Sequence, residues 1–128
     1  MVDLTPLIPG GRQIVESYGE GRFRVGGQLF SGAVLVFPER TLAWPVGSAG
    51  EANLENLEAV MAAGRRGTVD LLLFGQGPRI AAVPAPLRHG LREAGIVIEP
   101  MDTGAACRTY NVLMAEGRRV AAALIAVA

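Results

Sequence analysis

The sequence contains no lysine, one cysteine and one histidine among its 128 residues. Every basic residue except the histidine is therefore an arginine, and 12 arginines balance 12 acidic residues to a formal net charge of zero. Because a neutral chain produces no long-range field, we expect neither nucleic-acid binding nor attraction to an anionic membrane. A lone cysteine cannot form an intramolecular disulfide, which is typical of a reducing compartment, so we expect a cytoplasmic location.

Long uncharged stretches are also missing. The longest of them, residues 25–38, is shorter than the roughly 20 residues that a membrane-spanning helix needs, and it contains glycine and proline. The first ten residues include Asp3, Pro6 and Pro9 but no basic residue. We therefore expect no secretory or mitochondrial targeting signal and no direct membrane insertion.

Apolar residues make up half of the chain, and only 19% of the residues are charged. This composition supports a sizeable hydrophobic core and excludes disorder. The length is that of one ordinary folding unit, so we expect a single domain spanning residues 1–128.

The first third of the chain is typical of antiparallel strands separated by glycine turns. We predict strands over residues 13–18 and 22–25, because each is apolar or alternating and is followed by glycine. Residues 28–37 are rich in β-branched and aromatic side chains and end at a proline, which predicts one long buried strand. A short partner strand over residues 41–44 follows.

The rest of the chain alternates between helical periodicity and short apolar runs. We predict a first helix that starts between Ser48 and Asn53 and ends at Gly64, and a second from Pro86 to Gly95. A third helix follows Asp102 and Thr103, either of which can cap its N-terminus. It carries Ala106, Tyr110, Leu113 and Gly117 on one face.

Almost continuous apolar runs over residues 69–74, 96–98 and 120–127 separate or follow these helices, as strands covered on both faces do. Antiparallel strands followed by alternating helices and strands predict an α/β fold. We expect a three-layer single domain with a central mixed β-sheet, in which N-terminal antiparallel strands precede βαβαβ-type crossovers.

A glycine-containing loop follows the strand predicted over residues 69–74. Gly75 and Gly77 lie at the carboxyl end of that strand, where open α/β sheets often bind ligands, and Arg79 is close in sequence. With Thr103 and Gly104 at the start of the third helix, they form a candidate cleft for a small ligand or anion. The loop is not a dinucleotide or phosphate-binding motif, and a sharp turn is the favoured interpretation of its glycines.

Residues for catalysis or metal binding are scarce. Cys107 and His89 could pair as nucleophile and base, but Cys107 lies a full turn inside the third helix and His89 stands between two arginines. A buried thiol and a solvated imidazole are the favoured interpretation of these two residues. One histidine and one cysteine make no zinc motif. We predict no catalytic residue, no metal ligand and no cofactor.

A resemblance covers nearly the whole chain. It is carried mainly by residues 101–113, MDTGAACRTYNVL, followed by EGRRV over residues 116–120. Further matching pieces are residues 18–23, 32–36 and 72–77, with Trp44. These segments resemble a family that includes a mitochondrial respiratory complex I assembly factor and the adipogenesis-associated domain protein. The loop Gly75-Gln76-Gly77 departs from a Gly-Thr-Gly form in relatives, which removes a hydroxyl from any ligand contact there.

The resemblance implies a three-layer α/β fold and a bacterial-type member. It also implies a non-catalytic protein-interaction or assembly factor linked to respiratory complex I. The implied partners are respiratory-complex subunits or another assembly factor, and the oligomeric state is not implied. A cleft at the glycine loop, binding a small ligand or anion, is the alternative function.

The assembly hypothesis needs an interaction surface. We predict that Arg108 and Asn111 on the third helix, with Trp44 as an aromatic anchor, contribute to it. Each residue also has a structural interpretation: Arg108 could pair with an acid, Asn111 could bond the backbone, and Trp44 could fill the core.

Overall fold

The N-terminal strands form a sheet of their own in the computed structural model, which describes residues 1–4 and 12–128. This sheet is antiparallel, with the strand order β1-β2-β3-β4. Its strands are β1 (Val2–Asp3), β2 (Val15–Gly19), β3 (Arg22–Val25) and β4 (Gln28–Ser31). Residues 5–10, part of the segment in which we predicted no targeting signal, lie outside the described residues.

A five-stranded mixed sheet forms the centre of the fold, with the order β6-β5-β9-β7-β8. Its strands are β5 (Val34–Val36), β6 (Thr41–Ala43), β7 (Leu71–Gly75), β8 (Val97–Met101) and β9 (Val120–Leu124). The apolar β7 pairs in parallel with both β8 and β9, whereas β5 pairs antiparallel with β6 and β9. The strands predicted over residues 69–74, 96–98 and 120–127 are therefore present with shifted ends.

Helices cover both faces of the central sheet. They are α1 (Glu58–Arg65), α2 (Ala85–Glu93) and α3 (Thr103–Ala115), and a 3-10 turn spans Ala49–Glu51. Successive side chains of a strand point to opposite faces, so Leu72 and Phe74 pack in one core with α1 and α2. Leu73 packs in a second core with α3 and the N-terminal sheet. These layers confirm the predicted three-layer α/β fold with a central mixed sheet.

The long strand predicted over residues 28–37 is wrong. The run is divided into β4 and β5, which belong to different sheets. The break lies at Gly32, whose φ of +84° is accessible to glycine at little energetic cost. Its N–H donates to the Gly21 carbonyl at 2.8 Å, which holds the turn between the two sheets.

The predicted start of the first helix between Ser48 and Asn53 is also wrong, because α1 begins at Glu58. The Ser48 hydroxyl does donate to the Glu51 carboxylate at 3.1 Å, but this contact accompanies only the 3-10 turn. The predicted stop at Gly64 is one residue early, since α1 continues to Arg65 and ends before the left-handed Gly67.

Candidate functional site

The glycine loop and the start of α3 meet at the carboxyl end of β7, as their positions in the sequence predicted. Thr103 is fully buried at the centre of this junction. Its hydroxyl accepts a hydrogen bond from the Gly77 N–H at 2.9 Å and donates one to the Ile125 carbonyl at 2.7 Å. The Thr103 N–H donates to the Gly77 carbonyl at 2.9 Å. Three hydrogen bonds thus lock the loop, the helix and the end of β9 together.

Close packing explains the glycines of this loop. A Cβ atom at Gly75 would lie 3.1 Å from Thr103 Cα and 3.2 Å from Ala106 Cβ, so glycine lets α3 approach the strand. Gly77 has a φ of +94°, which bulky residues avoid. The Gln76 side chain folds back and accepts the Ala81 N–H at 2.7 Å. The loop is therefore filled by its own contacts.

Two of the N–H groups that could bind an anion at the start of α3 already donate hydrogen bonds within the protein. An anion at a helix N-terminus binds to free backbone N–H groups. The Thr103 N–H is already taken by Gly77, and the Ala105 N–H donates to the Asp102 carboxylate at 2.9 Å. Arg79 is exposed on the loop. The structure brings Gly75, Gly77, Thr103 and Gly104 together in a packed junction, which favours the turn interpretation.

Trp44 lies in the core, so its prediction as a surface anchor is wrong. Only 2% of the residue is exposed, and its ring packs edge to face against Phe74 with centroids 6.1 Å apart. The indole N–H donates to Asn56 Oδ1 at 3.3 Å. The backbone N–H of Trp44 donates to the Ala33 carbonyl, and this pairing holds the side chain in the core shared with α1 and α2.

Asn111 connects α3 to the N-terminal sheet. Its side-chain oxygen accepts the Val15 N–H at 3.0 Å, and its side-chain nitrogen donates to the Val15 carbonyl at 2.9 Å. Val15 lies where the register between β2 and β3 shifts, so these bonds satisfy backbone groups at an irregular point of the strand. The residue is half-buried and serves the fold, the structural interpretation considered above.

Arg108 remains exposed on the outer side of α3 and forms no ion pair with any described residue. One helical turn further, Val112 is 56% exposed. Sequence reasoning missed Val112, although the helical period contained the signal, because residues four apart share a face. We call Arg108 and Val112, with the half-buried Ala105, the α3 outer face.

Cys107 is fully buried, in an environment that disfavours the thiolate which a nucleophile needs. Burial raises the pKa of its thiol to about 12, so it stays protonated at neutral pH. The core around it consists of α3 and N-terminal-sheet residues. His89 is exposed on α2, which packs in the other core, so the two residues do not form a pair. Both structural interpretations hold.

We expect the native Cys107 thiol to resist modification by thiol reagents. A rise in pKa from about 9 to about 12 lowers the thiolate fraction near pH 8 by about a thousandfold, and burial blocks access as well. Labelling with a coloured disulfide reagent should therefore follow unfolding, with full reaction only in denaturant. Rapid reaction of the native protein would contradict the buried position.

The described part of the chain offers no metal site of the usual kind, since nowhere do three or more His, Cys, Asp or Glu side chains gather. In residues 1–4 and 12–128, every helix is too short or too polar to cross a membrane.

Comparison with known sequences gives a family. Residues 15–125 match the family described as protein of unknown function (DUF498/DUF598). An uncharacterised protein of Rhodobacter capsulatus is 40% identical over 124 residues, covering 95% of this chain and 93% of that protein. The NADH dehydrogenase (ubiquinone) 1 alpha subcomplex assembly factor 3 of Xenopus tropicalis is 34% identical over 87% of this chain. The alignment spans only 60% of that factor's length.

Solved structures share the fold. A crystal structure from Bartonella henselae, described as an outer membrane protein, is 34% identical with a TM-score of 0.84, covering 92% of this chain and 98% of that one. A Mth938-like domain of Bordetella pertussis is 30% identical with a TM-score of 0.82, and the match covers 97% of this chain and 92% of that chain. Sequence and structure therefore agree that the chain belongs to the DUF498/DUF598 family.

Proposed function

We propose that this protein is a non-catalytic protein-interaction factor that assists the assembly of respiratory complex I and acts in the cytoplasm. The observation that carries the proposal is the 34% identity with the Xenopus tropicalis assembly factor over 87% of this chain. Because the chain spans three fifths of that factor's length, the shared activity is itself part of the proposal. The single buried cysteine fits a reducing compartment.

The α3 outer face supports a binding role. Arginine is enriched among the residues that dominate protein interfaces, and its guanidinium can donate two parallel hydrogen bonds to a carboxylate. Arg108 has no acidic partner among the described residues, and Val112 supplies an exposed apolar neighbour. A protein surface with a carboxylate beside an apolar side chain fits this face.

Affinity capture from native cells tests the proposal. We expect the tagged protein, after mild crosslinking, to enrich complex I subunits or another assembly factor over an untagged control. Arg108→Ala should reduce this recovery about fivefold to tenfold, the effect of removing one important interface arginine. Arg24→Ala, which removes an exposed arginine on β3, serves as the matched control and should leave recovery unchanged.

Two results would count against the proposal in different ways. If neither class of protein is enriched, the assembly role is wrong. If the partners are recovered equally with wild type and Arg108→Ala, the role stands and the α3 outer face is not its contact surface. Matching thermal unfolding midpoints of both variants would show that a loss of recovery is not a loss of folding.

A further inference from the structure

Two polar side chains meet over Gly104 of α3, one from the N-terminal sheet and one from the helix itself. A Cβ atom at Gly104 would lie 2.5 Å from the Tyr18 hydroxyl oxygen and 3.3 Å from Arg108 Nη1. Arg108 reaches this point because helical side chains lean toward the N-terminus, over the residue four positions earlier. Since both distances start from one point, a single group above Gly104 can contact both side chains. We call these two side chains the Tyr18–Arg108 pair.

The fold leaves both members of this pair without a partner. In the part of the chain that the structure describes, the Tyr18 hydroxyl and the Arg108 guanidinium form no hydrogen bond or ion pair. Neighbouring polar side chains differ: Asp102 accepts the Ala105 N–H, and Thr103 bonds to two backbone groups. Polar groups that serve a fold are bonded within it, so the pair is available to a ligand. Both donors are side chains, so the pair does not depend on the N–H groups at the start of α3.

Packing holds the tyrosine in place before any ligand binds. Tyr18 lies in β2, between β1 and β3, and is half-buried against the core that α3 shares with the N-terminal sheet. Its hydroxyl can rest on the helix because Gly104 has no side chain. A donor that is fixed in this way loses little conformational entropy on binding. Arg108, exposed on the α3 outer face, adds a positive charge beside it.

The charge of the pair selects its ligand. Neither β2 nor α3 carries a basic residue other than Arg108, and Asp102 caps the same helix with a negative charge. Doubly charged phosphate groups are bound by clusters of arginines. One guanidinium instead matches one carboxylate, to which it donates two parallel hydrogen bonds. The Tyr18 hydroxyl can donate a third hydrogen bond to the same carboxylate.

An apolar neighbour indicates that the carboxylate belongs to a protein. Val112 lies one turn beyond Arg108 and is 56% exposed. A free carboxylate ion would leave the Val112 side chain in water, whereas an acidic residue of a protein brings neighbours that can cover it. Tyrosine and arginine are also enriched among the residues that dominate protein interfaces.

We infer that the Tyr18–Arg108 pair binds one aspartate or glutamate side chain of the partner protein, with an apolar residue of the partner over Val112. The guanidinium and the tyrosine hydroxyl both donate to the carboxylate oxygens. The inference rests on the proposed function and deepens it, because it names the chemical group that the α3 outer face recognises and adds Tyr18 to that surface.

Photocrosslinking in native cells identifies the bound segment. A photoreactive p-benzoylphenylalanine replaces Val112 on α3 or, as the matched control, Val97 on β8, which is 53% exposed. We expect the Val112 position to give about tenfold more product, all of it with one acid-containing segment of another protein. Mass spectrometry of the crosslinked peptide gives the sequence of that segment.

The affinity of a synthetic peptide with that sequence tests the pair itself, by fluorescence anisotropy with purified protein. Replacing the acidic peptide residue by its amide should weaken binding to the wild type about tenfold, and to Arg108→Gln less than about twofold. Tyr18→Phe should weaken binding of the acidic peptide about fivefold, and of the amide peptide less than about twofold. Arg24→Gln, at an exposed arginine of β3, is the matched control and should change either affinity by less than about twofold.

The thermal unfolding midpoint of Tyr18→Phe separates binding from structure. Because the hydroxyl bonds to no described residue, its removal should leave the midpoint within about 2 °C of the wild type. A lower midpoint together with unchanged peptide affinity would make this hydroxyl a structural group and would overturn the inference.

Other results also overturn the inference: equal or absent crosslinking at both positions, crosslinks to a second copy of this chain, a phosphorylated residue in place of the acid, or full affinity in Tyr18→Phe. If affinity capture still recovers complex I proteins in these cases, the proposed function stands without the Tyr18–Arg108 pair. If the affinities behave as expected but the crosslinked protein is neither a complex I subunit nor an assembly factor, the pair stands and the assembly role is wrong.

Discussion

Replacing Thr103 with valine is expected to lower the free energy of unfolding by about 3 kcal/mol. The valine side chain has nearly the same shape, so the change removes the hydroxyl while keeping the packing. Two buried backbone groups then lose their partners: the Gly77 N–H, which donates to this hydroxyl, and the Ile125 carbonyl, which accepts from it. Leaving a buried polar group unpaired costs about 1 to 3 kcal/mol for each group.

Denaturant unfolding followed by circular dichroism measures this effect. Thr103→Ser is the matched control, because serine keeps the hydroxyl and loses only a methyl group, for a cost of about 1 kcal/mol. A valine variant as stable as the serine variant would mean that the two hydrogen bonds contribute nothing. In that case the junction would be held by packing alone.

The same junction shows why a strand end with glycines is easily taken for a ligand site. The sequence predicted correctly that Gly75, Gly77 and Thr103 come together, because the carboxyl end of a parallel strand meets the start of the following helices. Whether their polar groups face a ligand or one another depends on partners far away in the chain. Here Ile125, at the other end of the sequence, accepts the bond that a ligand could have taken.

Local patterns in the sequence were sufficient to predict much of the fold. The Asp102 cap was predictable because the capping side chain and the N–H that it accepts are only three residues apart. The apolar strands β7 and β9 were predictable because burial on both faces requires continuous apolar residues. Such features depend on neighbouring residues and hence appear in any short window of sequence.

Features that depend on distant contacts could not be predicted in this way. The run over residues 28–37 looks like one strand, and only the turn at Gly32 sends its two halves into different sheets. Trp44 is buried because Phe74, on β7, packs against it. Leu54, in the turn before α1, likewise packs on Gly90 of α2. The residues that make these contacts are far apart in the sequence.

Close approach of α1 to the segment after α2 leads to the second large effect. A Cβ atom at Gly64 would lie 2.5 Å from the Ala94 carbonyl oxygen and 2.5 Å from Ile96 Cδ1. We expect Gly64→Ala to destabilise the protein by about 2 kcal/mol net. Overpacking of this kind costs up to about 3 kcal/mol, and the better helix propensity of alanine offsets about 1 kcal/mol of it.

The atoms that clash determine how large the destabilisation is. A neighbouring side-chain end can rotate away, but the Ala94 oxygen belongs to the backbone, where the Ala94 N–H also donates to the Leu91 carbonyl. Relief therefore requires α1 to move as a unit away from Ile96, which opens the core beneath it. The destabilisation should appear as a lower denaturant midpoint with an unchanged slope.

Gly50→Ala provides the matched control for this change. Gly50 lies in the 3-10 turn, and a Cβ atom there has no heavy atom within 4 Å. The same chemical substitution should therefore change stability by less than about 0.5 kcal/mol. If Gly64→Ala were equally neutral, α1 and the end of α2 would have room to separate.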